Sequence, residues 1–218
     1  MKVALIGATG FVGAKILDEA LSRGHQVTAI VRKPEALPKR EHVTAVKADV
    51  ADVDALARAL TGHHVVISAF NPGRGTPGDG IYDEFVAGHQ AIIDAVKTSG
   101  VTRYLAVGGA GSLKTAEGVE MIDSPSFPEE YRPYLGGIRG TREQYYMLKA
   151  EPGLDWVFLA PSAFLAPGER TGKYRVGKDH LLANEQGESR ISLEDYAVAM
   201  VDEMERPAHH RERFTVGY

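Results

Sequence analysis

Residues 1–13 read MKVALIGATGFVG, and their order decides the fold. Val3, Ala4, Leu5 and Ile6 form an unbroken apolar run. That pattern suits a short strand covered on both faces, because a strand with one wet face would alternate. At Gly7-Ala8-Thr9-Gly10-Phe11-Val12-Gly13 the run gives way to a G-x-x-G-x-x-G spacing, and helical periodicity starts at Ala14-Lys15-Ile16-Leu17. A strand, a glycine turn and a helix in succession bend the chain sharply and present the first amides of the helix to an anion. A dinucleotide pyrophosphate is the ligand such a turn serves.

The rest of the composition agrees with that reading. A chain of 218 residues is long enough for a three-layer α/β core, and we expect one NAD(P)-binding domain over 1–218. The formal net charge of −4 gives no reason to expect nucleic acid or an anionic membrane surface as a partner. There is no cysteine, which excludes disulfides, thiolate catalysis and thiolate metal ligands. The opening residues lack a signal peptide's long apolar segment, and no later stretch has the apolar length of a membrane span, so a cytoplasmic protein is expected.

Taken in order, the first helix should run from about Phe11 to Arg23 and stop at Gly24, with Gln26–Val31 as the second strand. Arg32-Lys33 follow at once. An NAD-selective site carries a carboxylate there against the ribose 2′-hydroxyl, whereas two cations suit a 2′-phosphate and favour NADPH; the other reading is a solvated basic turn. Val43–Ala48 is the third strand and ends at Asp49-Val50. That pair is placed either to receive an adenine amino group or merely to start the helix capped by Asp52, which runs to about Thr61. Val65–Ala69 is the fourth strand, and Phe70–Gly80, dense in Gly and Pro, is a loop at the ligand edge of the sheet. This loop is either a flap over the nicotinamide or a long connection.

Ile81–Ser99 carries the spacing of a long helix ended by Gly100, and Arg103–Val107 is the fifth strand. In the turn from Gly108 to Ser112 the glycines again allow a close approach, and the Ser112 hydroxyl is the candidate catalytic group; a tight turn with a solvent serine is the alternative. A helix including Thr141–Ala150 precedes a sixth strand, Asp155–Ala160, closed by Pro161-Ser162-Ala163-Phe164. Phe164 is either a wall for a flat substrate or a core residue. The segment 169–191 reads as a small hairpin region, Ser192 caps a helix over Leu193–Glu205, and Arg213–Gly217 is a last strand. The whole is an α/β chain with a Rossmann-type doubly wound parallel sheet and a small C-terminal substrate-side region, mainly 161–192.

Tyr145 and Lys149 match the Tyr-x-x-x-Lys pair that serves short-chain dehydrogenases as acid and helper, but they fall on the last turn of their helix, too far along it. Tyr131 and Tyr134 stand nearer the right place, yet Leu135 and Ile138 occupy the positions where lysine is needed. A tyrosine-assisted alcohol dehydrogenase is therefore not expected. His63-His64 and His209-His210 read as solvated pairs without a metal-ligand pattern, His180 stands alone in the hairpin region, and no metal site is expected.

VALIGATGFVGAKIL, VTAIVRKPEAL, VGGAGSL, LDWVFLAPSAF and the tail from APGERTGKYRVG to RFTVGY resemble the NAD(P)H-flavin reductase group of atypical short-chain dehydrogenases. They resemble biliverdin reductase B and NmrA-type proteins more distantly. The resemblance implies that Gly7, Thr9, Gly10, Phe11 and Val12 hold a pyrophosphate, Arg32 and Lys33 a 2′-phosphate, and Asp49 and Val50 an adenine. It implies Ser68, Ala69 and Phe70 at a ribose, Gly108 and Gly109 with Ser112 at the nicotinamide, and Ala110, Pro161, Ser162 and Phe164 at the acceptor. NADPH would be the cofactor and FMN, FAD or a quinone-like compound the acceptor, in a monomer or homodimer. The alternative is an NmrA-like sensor that binds NADP without turnover; a sugar-nucleotide epimerase is disfavoured by the short C-terminal part.

Overall fold

The computed structural model describes residues 1–73 and 77–218; the centre of the glycine-rich loop, positions 74–76, lies outside the described residues. The elements in order are β1 (Lys2–Ile6), α1 (Gly13–Ser22), β2 (Gln26–Val31), β3 (Val43–Lys47), α2 (Val53–Leu60), β4 (Val65–Ser68), α3 (Ile81–Ser99) and β5 (Arg103–Val107). They continue with α4 (Leu135–Lys149), β6 (Asp155–Pro161), β7 (Phe164–Ala166), β8 (Arg175–Gly177), β9 (Arg190–Ser192), α5 (Leu193–Glu205) and β10 (Glu212–Gly217). Eight strands form one sheet in the order β3-β2-β1-β4-β5-β6-β10-β8, parallel throughout except where β8 runs against β10.

The apolar run in β1 explains the layering. Val3 and Leu5 point into a core with Ile16, Leu17 and Ala20 of α1 and Met200, Val201 and Met204 of α5. Ala4 and Ile6 point the other way, onto Leu56 and Leu60 of α2 and Ile92, Ile93 and Val96 of α3. Successive residues of a strand face opposite sides, so a strand with a helix layer on each side can spare no position for a polar side chain. β1 pairs with β2 on one edge and β4 on the other. The chain thus reverses its direction of winding across β1, and the crevice opens at such a switch point, beyond the carboxyl ends of the strands.

Local signals act where expected. Asp52 caps α2 by accepting from the Ala55 amide at 2.9 Å, Ser192 caps α5 by accepting from Asp195 at 3.0 Å, and Gly100 ends α3 with φ at 78°. The segment 169–191 is not a hairpin. β7 pairs in parallel with β9, and β8 leaves that pair to join the edge of the main sheet beside β10. The region is tied down instead by side chains. Arg170 forks onto Glu19 of α1 at 2.7 and 2.8 Å, and the Gly172 amide donates to Asp195 of α5 at 2.8 Å. Glu19 also receives Arg23 at 2.7 Å, and Arg23 reaches Asp202 and Glu205, so one network joins α1, α5 and this region.

Candidate functional site

A cleft of about 800 Å³ runs along the carboxyl edge of the sheet, within the roughly 300–1,000 Å³ usual for ligand sites. Its middle is the first glycine turn, with Gly7, Thr9, Gly10, Phe11 and Val12 in the lining. Gly7 has φ of 78°, and a Cβ there would stand 2.6 Å from the Ala69 carbonyl; a Cβ at Gly13 would stand 2.1 Å from the Gly7 carbonyl. These two glycines therefore let strand, turn and helix close on one another rather than leave a space for a ligand. At Gly10 the nearest atom a Cβ would meet is the Gly7 carbonyl at 3.2 Å. Val12, the N-cap of α1, makes no side-chain cap bond, and the first turn of the helix holds no acidic residue. The positive end of the helix dipole faces the cleft.

One end of the cleft lies past β2 and β3 and is lined by Arg32, Asp49 and Val50. Arg32 is exposed and forms no ion pair among the described residues. Lys33 is also exposed, but it stands outside the lining as the N-cap of the 3-10 turn Pro34–Ala36. The Asp49 carboxylate accepts from the Ala51 amide at 3.0 Å, so it already shapes its own turn. The other end is lined by Ala69 and Phe70 past β4, Gly108 past β5, and Ala163, Phe164 and Leu165 past β6. Phe164 is 56% exposed, a wall and not a core residue. Beside this end sits a chamber of about 280 Å³ that shares Asn71, Phe85, Tyr131, Thr141 and Ala163 with the cleft. Its remaining lining includes Gly109, Ala110, Gly111, Met121, Phe127, Tyr134 and Ile138, and it is mostly apolar.

Several expected site residues turn away from this space. Ser112 is 1% exposed, and its hydroxyl accepts from Arg213 at 2.9 Å, because the 3-10 turn Ala110–Ser112 rotates it inward. Ser68 and Ser162 are equally buried; Ser162 donates to the Val216 carbonyl at 2.8 Å, and neither it nor Pro161 lines the cleft. Alternation along a strand puts Ala69 and Ala163 at the cleft and their serine neighbours in the core. Tyr145 carries the Arg213 guanidinium over its ring at 4.1 Å and packs against Phe158, while Lys149 is the last, exposed residue of α4; neither lines the cleft. Tyr131 and Tyr134 do line the chamber.

Of each histidine pair one ring is part-buried and bonded within the fold, His63 and His209, while His64 and His210 are exposed as expected. His63 bonds to Thr28 at 2.7 Å and to the Leu60 carbonyl at 2.8 Å, His64 accepts from the Lys2 amide at 2.9 Å, and His209 stacks on Phe214 while bonding Glu203 at 2.7 Å. His210 bonds Asp155, and His180 is exposed, bridging to Lys114 through the backbone. No group of His, Asp and Glu among the described residues could hold a metal ion. No helix among them is long and apolar enough to cross a membrane.

The sequence reading passed over His89 of α3 and Gln144 of α4, which both line the cleft although they are 2% and 1% exposed. A signal was present. His89 falls four positions after Phe85 and three before Ile92, inside an apolar stripe, where a polar residue must find a partner or serve a ligand.

A family model described as NAD(P)H-binding matches residues 7–207. The uncharacterized protein YwnB of Bacillus subtilis is 39% identical over 219 residues, spanning 99% of this chain and 98% of its own length. Among solved structures, a candidate epimerase of Bacteroides thetaiotaomicron superposes with a TM-score of 0.90 at 49% identity, covering 100% of this chain and 96% of its own. A candidate NADH-flavin reductase of Streptococcus pneumoniae superposes with a TM-score of 0.82 at 34% identity, covering 100% and 99%.

Proposed function

The chain belongs to the NAD(P)H-binding family, with the Rossmann fold of the atypical short-chain dehydrogenases, and on that premise we propose that it is an NADPH-dependent reductase of a flat conjugated acceptor, a flavin such as FMN or FAD, or a quinone. The observation that carries the reading is that a cleft lined at one end by Arg32, which forms no ion pair among the described residues, crosses the start of α1 and at its other end shares lining residues with an aromatic chamber. A 2′-phosphate and a pyrophosphate need the first two features. A stacked ring system needs the third.

In this reading Gly7, Thr9, Gly10, Phe11 and Val12 hold the pyrophosphate, and Arg32 holds the 2′-phosphate with Lys33 at the rim. Asp49 and Val50 frame the adenine, Ala69 and Phe70 the second ribose, and Gly108 and Gly109 the nicotinamide. Ala110, Phe164 and the chamber aromatics flank the acceptor. We assign no catalytic role to Ser112, whose hydroxyl is held by Arg213. When bound, the cofactor supplies a hydride, and the acceptor takes it together with one proton from solvent. The chain's contribution is to align two flat rings and exclude water between them. Among the described residues the cleft holds no Tyr/Lys acid pair, which fits an acceptor that needs little acid help.

The test is NADPH oxidation followed by absorbance with FMN, FAD and a simple quinone against a no-enzyme control. Consumption with one of them is expected. Saturable NADPH binding without turnover on any acceptor would replace this reading with the NADP-sensor one.

A further inference from the structure

Behind the cleft wall lies a set of polar atoms with no partner among the described residues. They are Nδ1 and Nε2 of His89, Oε1 and Nε2 of Gln144, and the hydroxyl of Tyr104 on β5. Tyr104 has Ser68 and Gln144 as polar neighbours but closes a well-formed hydrogen bond with neither. The Phe70 ring packs edge-on against His89 at 5.4 Å, and the Phe85 ring lies 5.7 Å from it. Phe85 also fills the space that a Cβ at Gly140 of α4 would need, one turn before Gln144, so His89 and Gln144 belong to one layer between α3 and α4. Burial lowers the His89 pKa to about 3 and pushes Tyr104 up to about 12, so both are neutral at physiological pH.

Unsatisfied donors and acceptors cost stability, and native chains hold few of them without a reason. Those of His89 and Gln144, on residues that line the cleft, call for a partner from outside the chain. Their position says which part of a ligand that is. The strand order puts Arg32 and Asp49 on one side of β1, and β4 and β5, with Phe70 and Gly108 at their ends, on the other. A dinucleotide whose 2′-phosphate is at Arg32 and whose pyrophosphate is over the first glycine turn carries its second nucleoside across β4 and β5.

We propose that His89 and Gln144, backed by Tyr104, form a polar seat for the hydroxyls of the nicotinamide-bearing ribose, reached through one bridging water. The polar atoms have no accessible surface of their own, so a ligand reaches them only through a water admitted by a small shift of the neighbouring Phe70 ring. A neutral imidazole offers one donor and one acceptor and a carboxamide offers both kinds, which suits a water and a diol. This seat rests on the dinucleotide reading and deepens it. It gives the cofactor's second half an anchor in a chain whose Tyr145 and Lys149 stand elsewhere.

The experiment is calorimetric titration of wild type, His89→Leu, Gln144→Met and the double variant with two probes, NADPH and adenosine 2′,5′-bisphosphate. The second probe keeps the adenosine and the 2′-phosphate but lacks the nicotinamide ribose. The double variant should bind NADPH about tenfold more weakly, the worth of roughly one hydrogen bond, and bind the bisphosphate unchanged. Its melting temperature without ligand should hold or rise, since near-isosteric apolar groups replace unpaired polar ones. His89→Gln, which restores a donor and an acceptor, should recover part of the NADPH affinity. Equal effects on both probes, no effect on either, or a fall in melting temperature with both affinities reduced would each overturn the seat. If wild type fails to bind NADPH, the reductase reading falls and the seat with it; if it binds and the variants do not discriminate the probes, only the seat falls.

Discussion

Replacing Arg32 by Ala tests the cofactor reading where the chain offers its clearest charge. Arg32 lines the cleft, is exposed, and has no acidic partner among the described residues. Its guanidinium is therefore free to meet a phosphate, and little is lost from the fold when it is removed. A hydrogen bond to a charged group contributes about 1.5–3 kcal/mol, and two unit charges 4 Å apart attract by about 1–4 kcal/mol between bulk water and a protein surface. An exposed pair belongs near the lower part of that range, so Arg32→Ala should raise the NADPH dissociation constant roughly 10- to 30-fold, at 1.4 kcal/mol per factor of ten. NADH, which lacks the phosphate, should bind as before. Lys33→Ala should cost NADPH less, because Lys33 stands outside the lining. The assay is titration with both nucleotides at low and high salt; the Arg32 effect should shrink as the Debye length falls from about 30 Å at 0.01 M to about 3 Å at 1 M. Equal weakening of NADPH and NADH, or a larger loss from Lys33 than from Arg32, would refute the argument that Arg32 reads a 2′-phosphate.

Three further outcomes follow from the packing. Gly13→Ala would bring a methyl to 2.1 Å from the Gly7 carbonyl, so the turn must shift; overpacking of this kind costs about 1–3 kcal/mol, roughly 2–4 °C in Tm per kcal/mol for a chain of this size, and nucleotide affinity should fall with it. Arg170 and Arg23 hold the Glu19 carboxyl below its ordinary value of 4.5 despite burial. The stability it contributes is therefore full above about pH 4.5 and is lost as pH falls through the lowered folded value, so wild type and Glu19→Gln should differ in Tm at pH 7 and converge as pH falls below that lowered value; parallel Tm curves would count against this. A true general acid contributes about 10²–10⁴ in rate, and Tyr145→Phe should cost none of this, because the ring that carries Arg213 remains and the hydroxyl is away from the cleft. A loss of that size in steady-state turnover would return Tyr145 to the chemistry.

What was legible in the sequence is what the backbone alone dictates. β1, β2 and β5, the helices α3 and α5, and the caps at Asp52 and Ser192 all lie where periodicity and turn chemistry put them. The glycine turn was recognisable by spacing, but its physics differs: Gly7 and Gly13 serve contacts within the turn and with Ala69 just past β4, and of the three only Gly10 lacks a crowding neighbour closer than 3.2 Å. The C-terminal region was misread because its pairing is nonlocal. Arg175-Val176-Gly177 has no local feature that says it will join β10 rather than fold back on its neighbours.

The site residues divide along a similar line. Expected site residues that offer only backbone or a methyl group, such as Ala69, Gly108 and Ala110, line the cleft or its chamber, since the carboxyl ends of parallel strands share one edge. The serines among the expected site residues, Ser112 read from its hydroxyl and Ser68 and Ser162 implied by the resemblance, are buried, because a hydroxyl in a strand-end turn faces inward or outward according to a rotation of one residue. The same rotation works in reverse on α3 and α4. There His89 and Gln144 stand on stripes that the sequence marks as core, and the helix phase that buries them also sets them against the cleft. Polar residues that interrupt an apolar stripe near the end of a Rossmann strand are thus better candidates for ligand contact in this chain than the serines of its turns. The hydroxyls there already have partners, in Arg213 for Ser112 and the Val216 carbonyl for Ser162, whereas the imidazole and carboxamide have none among the described residues.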